Sequence, residues 1–272
     1  MLGRDLTARL EAAHQIMGAD LPEVDVTDRT SIENVIETQR PEVVIHAAAF
    51  TAVDECELQP AVAFRVNAQG TRHVALACRQ ARIPALYIST DYVFDGENTD
   101  AYVESESPNP INVYGRSKLE GERHVSDLIA RFWIVRTSWL FGPLGKNFVK
   151  TILDRAQRGE SLRMVNDQVG SPTYTADLAM AVEQILEKGG PGIYHVTNQG
   201  QCSWYEFAKE ILRQAGFEGI SLTPIPTSAS GRPAPRPRNS RLANTRLQQE
   251  GLNLLPPWQD ALRRYLLRTR PE

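Results

Sequence analysis

The chain is poor in cysteine and in net charge, and it has no long apolar run. Its three cysteines, Cys56, Cys78 and Cys202, are widely spaced and odd in number. That spacing gives no disulfide framework and no CxxC or Cys/His metal site, so reduced thiols in a reducing compartment are expected. A formal charge of -3 is too small to imply a nucleic-acid partner or an anionic membrane surface. It leaves room for an anionic small ligand, which a few local donors can hold. No stretch approaches the roughly 18 apolar residues of a membrane span, and Met1-Leu2-Gly3-Arg4-Asp5 lacks the apolar core of a secretion signal. The expected compartment is the cytoplasm, with neither a nucleic-acid nor a membrane partner.

What is present is an alternation. Residues 43–49, 85–89, 133–137 and 192–196 are short, apolar and β-rich, and read as buried strands. Between them, residues 60–79 and 113–129 place apolar side chains at helical spacing. Strand and helix in turn predict an α/β fold, a doubly wound parallel sheet covered on both faces. At 272 residues there is enough chain for one large core, or one core with a lobe grafted onto it. The last third differs. Pro224, Pro226, Pro233, Pro235 and Pro237 interrupt it, with Arg232, Arg236, Arg238 and Arg241 interleaved. Composition alone reads as linker or as loop; apolar periodic segments at 204–215 and 258–267 favour an ordered loop between packed elements. Four guanidiniums there could grip phosphate bidentately.

Ligands of open parallel sheets sit beyond the carboxyl ends of the strands. Polar residues fall there: Thr51 after one strand, Ser89-Thr90-Asp91-Tyr92 after the next, Ser138-Trp139 after a third. The strongest local signal is Tyr114-Gly115-Arg116-Ser117-Lys118, whose tyrosine and lysine share one helix face. Reduction of a carbonyl needs a proton donor beside the oxygen that gains charge. A phenol, with a pKa of about 10, is sluggish in that role. A neighbouring ammonium is expected to bring it down towards neutral pH, and its N–H groups can also hold a ribose hydroxyl. A hydroxyl from Thr90 would share the substrate oxygen.

Further segments make the pattern specific: Asp25-Val26-Thr27-Asp28, Ala47 to Asp54, Ser89 to Gly96, Pro110 to Lys118, Arg136 to Trp139, Asn147-Phe148 and Asp167 to Thr173. With these motifs in order along nearly the whole length, the chain resembles the extended short-chain dehydrogenase/reductases, and among them the dTDP-4-dehydrorhamnose reductase family. The resemblance implies Tyr114 as proton donor, Lys118 as its partner and ribose ligand, and Thr90 as the group polarising the carbonyl. It implies Asp25 and Val26 at the adenine end of NADPH or NADH, and Ala47, Ala48 and Ala49 lying against the dinucleotide. Ser89 and Thr51 would also meet the cofactor. Thr51, Val53, Asp91, Tyr92, Trp139 and Asn147 would line the site of a dTDP-sugar. Simpler roles stand beside these: close packing for the alanines, a core position for Trp139, caps or turns for Asp54 and Asp91, and a structural role for Asn67. The expected division is a dinucleotide-binding core over residues 1–145 and a substrate-binding lobe over residues 146–272, interleaved with the core around 165–200. A homodimer and Mg2+ are implied by resemblance only; no acidic cluster marks a metal site.

One departure stands out. A dinucleotide fold is expected to open with a strand and a glycine-rich turn, and the segment beginning at Met1 has neither. Gly3 is expected to be the last glycine of that fingerprint, packing helix on strand. Residues 6–13 would form the first helix and residues 15–20 the second strand, with Asp20 meeting the adenosine ribose. An internal methionine taken as the start is the expectation; a short form without ordinary cofactor binding is the alternative. The implied activity is reduction of dTDP-4-dehydro-6-deoxy-L-mannose to dTDP-L-rhamnose by NAD(P)H. Related epimerases or dehydratases, or a non-catalytic regulatory subunit of the same fold, are the competing readings.

Overall fold

All six residues from Ala85 to Thr90 are buried, which a strand achieves only when both faces of its sheet are covered. The computed structural model describes residues 1–269. From the N-terminus run α1 (Leu2–Leu10), α2 (Arg29–Gln39), β1 (Val44–His46), α3 (Val53–Leu58), α4 (Pro60–Ala63), a π-helical stretch (Phe64–Gly70) and α5 (Thr71–Ala81). Next come β2 (Ala85–Thr90), α6 (Val113–Leu128), β3 (Phe132–Thr137), β4 (Leu140–Phe141), α7 (Phe148–Gln157), β5 (Leu162–Val165), β6 (Val169–Gly170) and β7 (Thr173–Tyr174). The chain continues with α8 (Thr175–Lys188), β8 (Gly192–His195), β9 (Cys202–Ser203), α9 (Trp204–Ala215), β10 (Leu222–Ile225), α10 (Thr245–Gln249) and α11 (Trp258–Thr269).

The main sheet has the order β1-β2-β3-β8, and every pairing in it is parallel. Successive side chains of a strand point to opposite faces. Leu86, Ile88, Trp133 and Val135 therefore meet Leu2, Leu6 and Leu10 of α1 and Leu178, Val182 and Ile185 of α8. Ala85, Tyr87 and Ile134 meet Ile32 and Ile36 of α2, Val74 and Cys78 of α5, and Val125 of α6 on the other face. Each large aliphatic side chain taken fully from water in this way contributes about 1.5–3 kcal/mol. A separate core gathers Phe141, Val149, Ile152, Tyr174, Phe207, Ile211, Trp258, Leu262 and Tyr265 beside the parallel pair β5–β10. The doubly wound α/β fold expected from the alternation is present.

The Pro/Arg stretch is an ordered strap. The Val169 N–H donates to the Arg238 carbonyl (2.7 Å), Ser240 returns a bond to Val169 (2.8 Å), and Tyr102 donates to Arg241 (2.8 Å). Two local expectations are corrected. Residues 15–20 form no strand: five of the six are exposed, and they have no ladder partner among the described residues. A strand exists through its pairing, and among the described residues β1 pairs only with β2. The first helix spans Leu2–Leu10 rather than 6–13, because Leu2, Leu6 and Leu10 then share one buried face. The helical reading over 60–79 holds, with a π-helical stretch at Phe64–Gly70 that carries Asn67. All three cysteines are buried and unbonded, and no helix among the described residues is long and apolar enough to cross a membrane.

The two cores are tied by a charge. Asp177, fully buried in the first turn of α8, accepts two bonds from Arg264 of α11 (both 2.7 Å) and one from Asn198 (2.7 Å). Asp177→Ala is expected to lower stability by about 2–3 kcal/mol, less than the about 3–5 kcal/mol of a fully buried pair, because the partly exposed Arg264 can rehydrate. Urea unfolding measures this; a wild-type midpoint in the variant would remove the pair as a tie.

Candidate active site

The carboxyl end of β2 and the start of α6 build the site together. Thr90 ends β2, buried; its hydroxyl donates to Asp91 Oδ1 (2.9 Å) and accepts from the Tyr92 N–H (3.1 Å). Burial pushes the Asp91 carboxyl up to about 7, against the opposing pull of its hydrogen bonds. Helix α6 is started by Asn112, whose Oδ1 accepts from the Gly115 N–H (2.7 Å) and whose Nδ2 donates to the Pro235 carbonyl of the strap (2.9 Å). Gly115 lets the helix lie against the chain after β2, since a Cβ there would stand 2.0 Å from the Tyr92 carbonyl oxygen. Tyr114 is thereby brought to Tyr92, ring centroids 6.0 Å apart and edge-on.

Tyr114, Lys118 and Glu122 follow at four-residue steps on one face of α6. Lys118 is buried; its Nζ donates to the Ile88 carbonyl (2.8 Å) and lies 4.0 Å from the centre of the Tyr87 ring. Here the electrostatic expectation is corrected. Burial raises the Tyr114 phenol rather than lowering it, with the nearby Thr90 hydroxyl opposing. Burial also brings the Lys118 ammonium down to about 7, with Glu122 opposing. Glu122 accepts from the Ser89 hydroxyl (2.5 Å) and from Arg136 Nε (2.9 Å) and Nη2 (2.7 Å), all out of water. The Ser89 hydroxyl therefore faces this buried network, because alternation along β2 turns it away from the side that Thr90 faces.

Beyond β1 the chain leaves the ladder at His46 instead of Ala49. Asn67, wholly buried, pulls it aside: its side chain accepts from the Phe50 N–H (2.7 Å) and donates to the Phe50 carbonyl and the Ser117 hydroxyl (both 3.0 Å). Ala48 and Thr51 are left exposed, and Ala47, Ala49 and Val53 half-buried, along one edge of the site. Asp25 and Val26 lie on the neighbouring loop. Asp25 Oδ1 accepts from the Thr27 N–H and hydroxyl (2.8 and 2.9 Å), and Val26 packs where Gly70 has no side chain.

Other expected positions are taken up locally. Trp139, with φ 46°, stacks on Trp204 at 3.5 Å between ring centroids, over Gly170. Asn147 caps α7: its Oδ1 accepts from the Lys150 N–H (3.1 Å) and its Nδ2 donates to the Gly142 carbonyl (2.8 Å), leaving little to offer a sugar. Gly3 is exposed on α1, where an added Cβ would meet nothing within 4 Å, so it makes no close helix–strand contact. Asp20 is exposed and accepts from the Leu21 N–H (2.9 Å), off any strand end. Among the described residues, no group of three or more His, Cys, Asp or Glu side chains could hold a metal ion.

The profile of the RmlD substrate binding domain matches residues 1–270. The chain belongs to the RmlD family. It is 40% identical over 276 residues to dTDP-4-dehydrorhamnose reductase of Aggregatibacter actinomycetemcomitans, covering 96% of this chain and 94% of the relative. The spore coat polysaccharide biosynthesis protein SpsK of Bacillus subtilis is 38% identical over 266 residues, covering 97% and 93%. The crystal structure of dTDP-4-dehydrorhamnose reductase from Bacillus anthracis in complex with NADP matches with a TM-score of 0.96 at 39% identity, covering 98% and 95% of the two chains.

Two elements of this RmlD-family site escaped sequence reasoning. Glu122 sits one turn beyond Lys118, a spacing visible in the sequence, but its partners Ser89 and Arg136 come from strands far away in the chain. Asn112, three residues before Gly115, carries the ordinary signature of a helix cap. The Asp91 carboxyl gives the site a pH signature. A carboxyl whose folded pKa lies above its unfolded value stabilises most at low pH, and that contribution is lost as pH rises from about 4 through about 7. Asp91→Asn is therefore expected to match wild type near pH 4 and to exceed it at pH 8, by on the order of 3 kcal/mol. Thermal melts across that range test this; parallel curves for the two proteins would contradict it.

Proposed function

We propose that the chain is an NAD(P)H-dependent reductase that turns the C4 ketone of dTDP-4-dehydro-6-deoxy-L-mannose into the alcohol of dTDP-L-rhamnose. It would serve the making of a rhamnose-bearing polysaccharide. The observation that carries this is the Tyr114 hydroxyl beside Thr90 at the end of β2, with Lys118 one turn further along α6 and bound to the Ile88 carbonyl of the same strand, in a chain 40% identical to a dTDP-4-dehydrorhamnose reductase.

The nicotinamide end of a dinucleotide fits the residues present. Lys118 uses one donor on Ile88 and keeps the others for a ribose hydroxyl. The short side chains of Ala47, Ala48 and Ala49 leave the backbone after β1 approachable. Among the described residues no donor reaches Asp25 Oδ2, which leaves it, beside Val26, for the adenine end. NADP in the Bacillus anthracis relative supports NADPH as the form used. When bound, the reduced nicotinamide supplies the hydride.

The chain's own residues do the rest. Reduction needs a protonated donor, and burial keeps the Tyr114 phenol protonated at neutral pH. Tyr114 gives its proton to the ketone oxygen as charge develops there, and the phenolate left behind is stabilised by the Lys118 ammonium one turn away. Thr90 holds the same oxygen; its hydroxyl proton, directed at Asp91 in the resting site, turns to the substrate. Thr51, Val53, Tyr92 and Trp139 would line the sugar. Glu122 acts through its neighbours, anchoring the α6 face that carries both Tyr114 and Lys118.

Tyr114→Phe keeps the ring and removes the proton. Its kcat is expected to fall by about 10²–10⁴, the usual worth of a positioned general acid, while NADPH affinity changes by less than about threefold. Loss of NADPH absorbance with the keto-sugar present gives kcat, and fluorescence titration gives the affinity. Wild-type turnover in the variant would refute the assignment.

A further inference from the structure

Lys118 has to carry its charge in a place that offers it few acceptors. The side chain is buried, and the Ile88 carbonyl (2.8 Å) is the one acceptor of its Nζ among the described residues. Glu122, one turn along the helix, has both carboxylate oxygens taken by Ser89 and Arg136. A second partner is the wholly buried Tyr87 ring, whose centre lies 4.0 Å from Nζ. A cation over a ring face is attracted by the ring quadrupole, most strongly where water is excluded. Such a face steadies the charge without placing another acceptor atom beside it.

The ring is itself held. It stacks on His46 of β1, with centroids 5.3 Å apart. Thr71 commits its hydroxyl proton to the Asn67 carbonyl (2.6 Å), so His46 Nε2 is the donor in its 3.0 Å contact with Thr71. Burial, with the Lys118 charge adding to it, brings His46 down to about 3, and the stack is neutral. Gly121 of α6 makes room for the tyrosine, since a Cβ there would stand 2.5 Å from the Tyr87 hydroxyl. That hydroxyl lies near Thr71 but has no hydrogen bond of ordinary geometry among the described residues. What Tyr87 offers is its ring. Burial raises the phenol well above its ordinary value, so the face beside the ammonium stays neutral too. The other titratable groups around Lys118 are Tyr114 and Glu122 on α6, with Asp91 and Cys56 beyond Tyr114 and Arg136 beyond Glu122.

We infer that Tyr87 is a positioning residue for the reduction: its ring keeps the Lys118 ammonium charged and seated one turn from Tyr114, with N–H groups left for a ribose hydroxyl and the phenolate. This rests on the reading of the protein as a reductase in which Lys118 steadies that phenolate. Without the ring, the ammonium would keep one hydrogen bond in a buried place, and burial favours the neutral amine. The lysine would then hold less charge at the moment the phenolate needs it.

The chain has five lysines, and the other four, Lys146, Lys150, Lys188 and Lys209, are exposed. NMR of the full chain labelled with 13C at lysine Cε therefore reads Lys118 by itself, its signal assigned by its loss in Lys118→Met. Wild type is expected to show an ε-methylene displaced upfield by the ring and titrating at about 7. Tyr87→Phe keeps the face and should follow wild type. Tyr87→Leu and Tyr87→Met keep apolar bulk without a ring, and the pair covers the failure of either one to fold. Both should lose the displacement and titrate about one pH unit lower. With keto-sugar and NADPH, their kcat should fall about tenfold at pH 8 but less than about twofold at pH 5.5. The inference is overturned if the ringless variants titrate Lys118 as wild type does, if kcat falls equally at both pH values, or if Tyr87→Phe loses as much as Tyr87→Leu. Wild type that titrates as expected but never oxidises NADPH with the keto-sugar would instead sink the reductase reading itself.

Discussion

A carboxylate and a guanidinium, both out of water, fix where helix α6 meets the sheet. Glu122 reaches down from the helix and Arg136 up from β3, joined by two hydrogen bonds and by the Ser89 hydroxyl of β2. Removing two charges from water costs several kcal/mol for each ion, so such a pair is poor evidence for stability. What it contributes here is registry. An apolar helix face could slide along its groove by a fraction of a turn at little cost; a face carrying Glu122 cannot, because sliding would strand both charges. Tyr114 and Lys118 lie two turns and one turn back on that same face. Their placement against Thr90 is inherited from the ion pair, and Gly115 and Gly121 allow the close approach that it demands.

The buried setting also decides how the site is charged at rest. Lys118 and Asp91 both fall near 7 and the phenol of Tyr114 is pushed upward, all chiefly through burial. An isolated tyrosine–lysine pair suggests an ammonium acidifying a phenol. In the folded protein the ammonium is instead held on the Ile88 carbonyl and over the Tyr87 ring. A phenol that keeps its proton is suited to reduction, where the donor must be loaded before hydride arrives. The lysine then matters most after proton transfer, when a phenolate beside it needs a countercharge.

Much of this was legible in the residues, and the failures share a cause. The strands at 85–89, 133–137 and 192–196 were marked by short apolar, β-rich runs and the helix at 113–129 by its spacing, because each is long or apolar enough for local pattern to decide. The tyrosine and lysine declared themselves by spacing. What stayed hidden depends on partners distant in sequence. Residues 15–20 look like a strand but have no paired edge beside them. Ser89 looks like a ligand of the cleft, and only the facing of β2 relative to α6 turns it towards Glu122. Asn147 is a helix cap whose neighbourhood is set by Gly142. Trp139 finds Trp204 across 65 positions, a stack no local window reveals. The Pro/Arg strap is expected as an ordered loop from the periodic segments that flank it, but the partners that hold it, Val169, Asn112 and Gly96, are distant in the chain.

The most direct test of the chemistry follows the hydride. NADPH carrying deuterium at the transferred position of its nicotinamide C4, supplied with dTDP-4-dehydro-6-deoxy-L-mannose, is predicted to leave one deuterium on C4 of the sugar and one oxidised cofactor for each sugar reduced, as read by NMR and absorbance. A sugar altered without net oxidation of the cofactor, or label found at any other carbon, would contradict a reductase acting at C4.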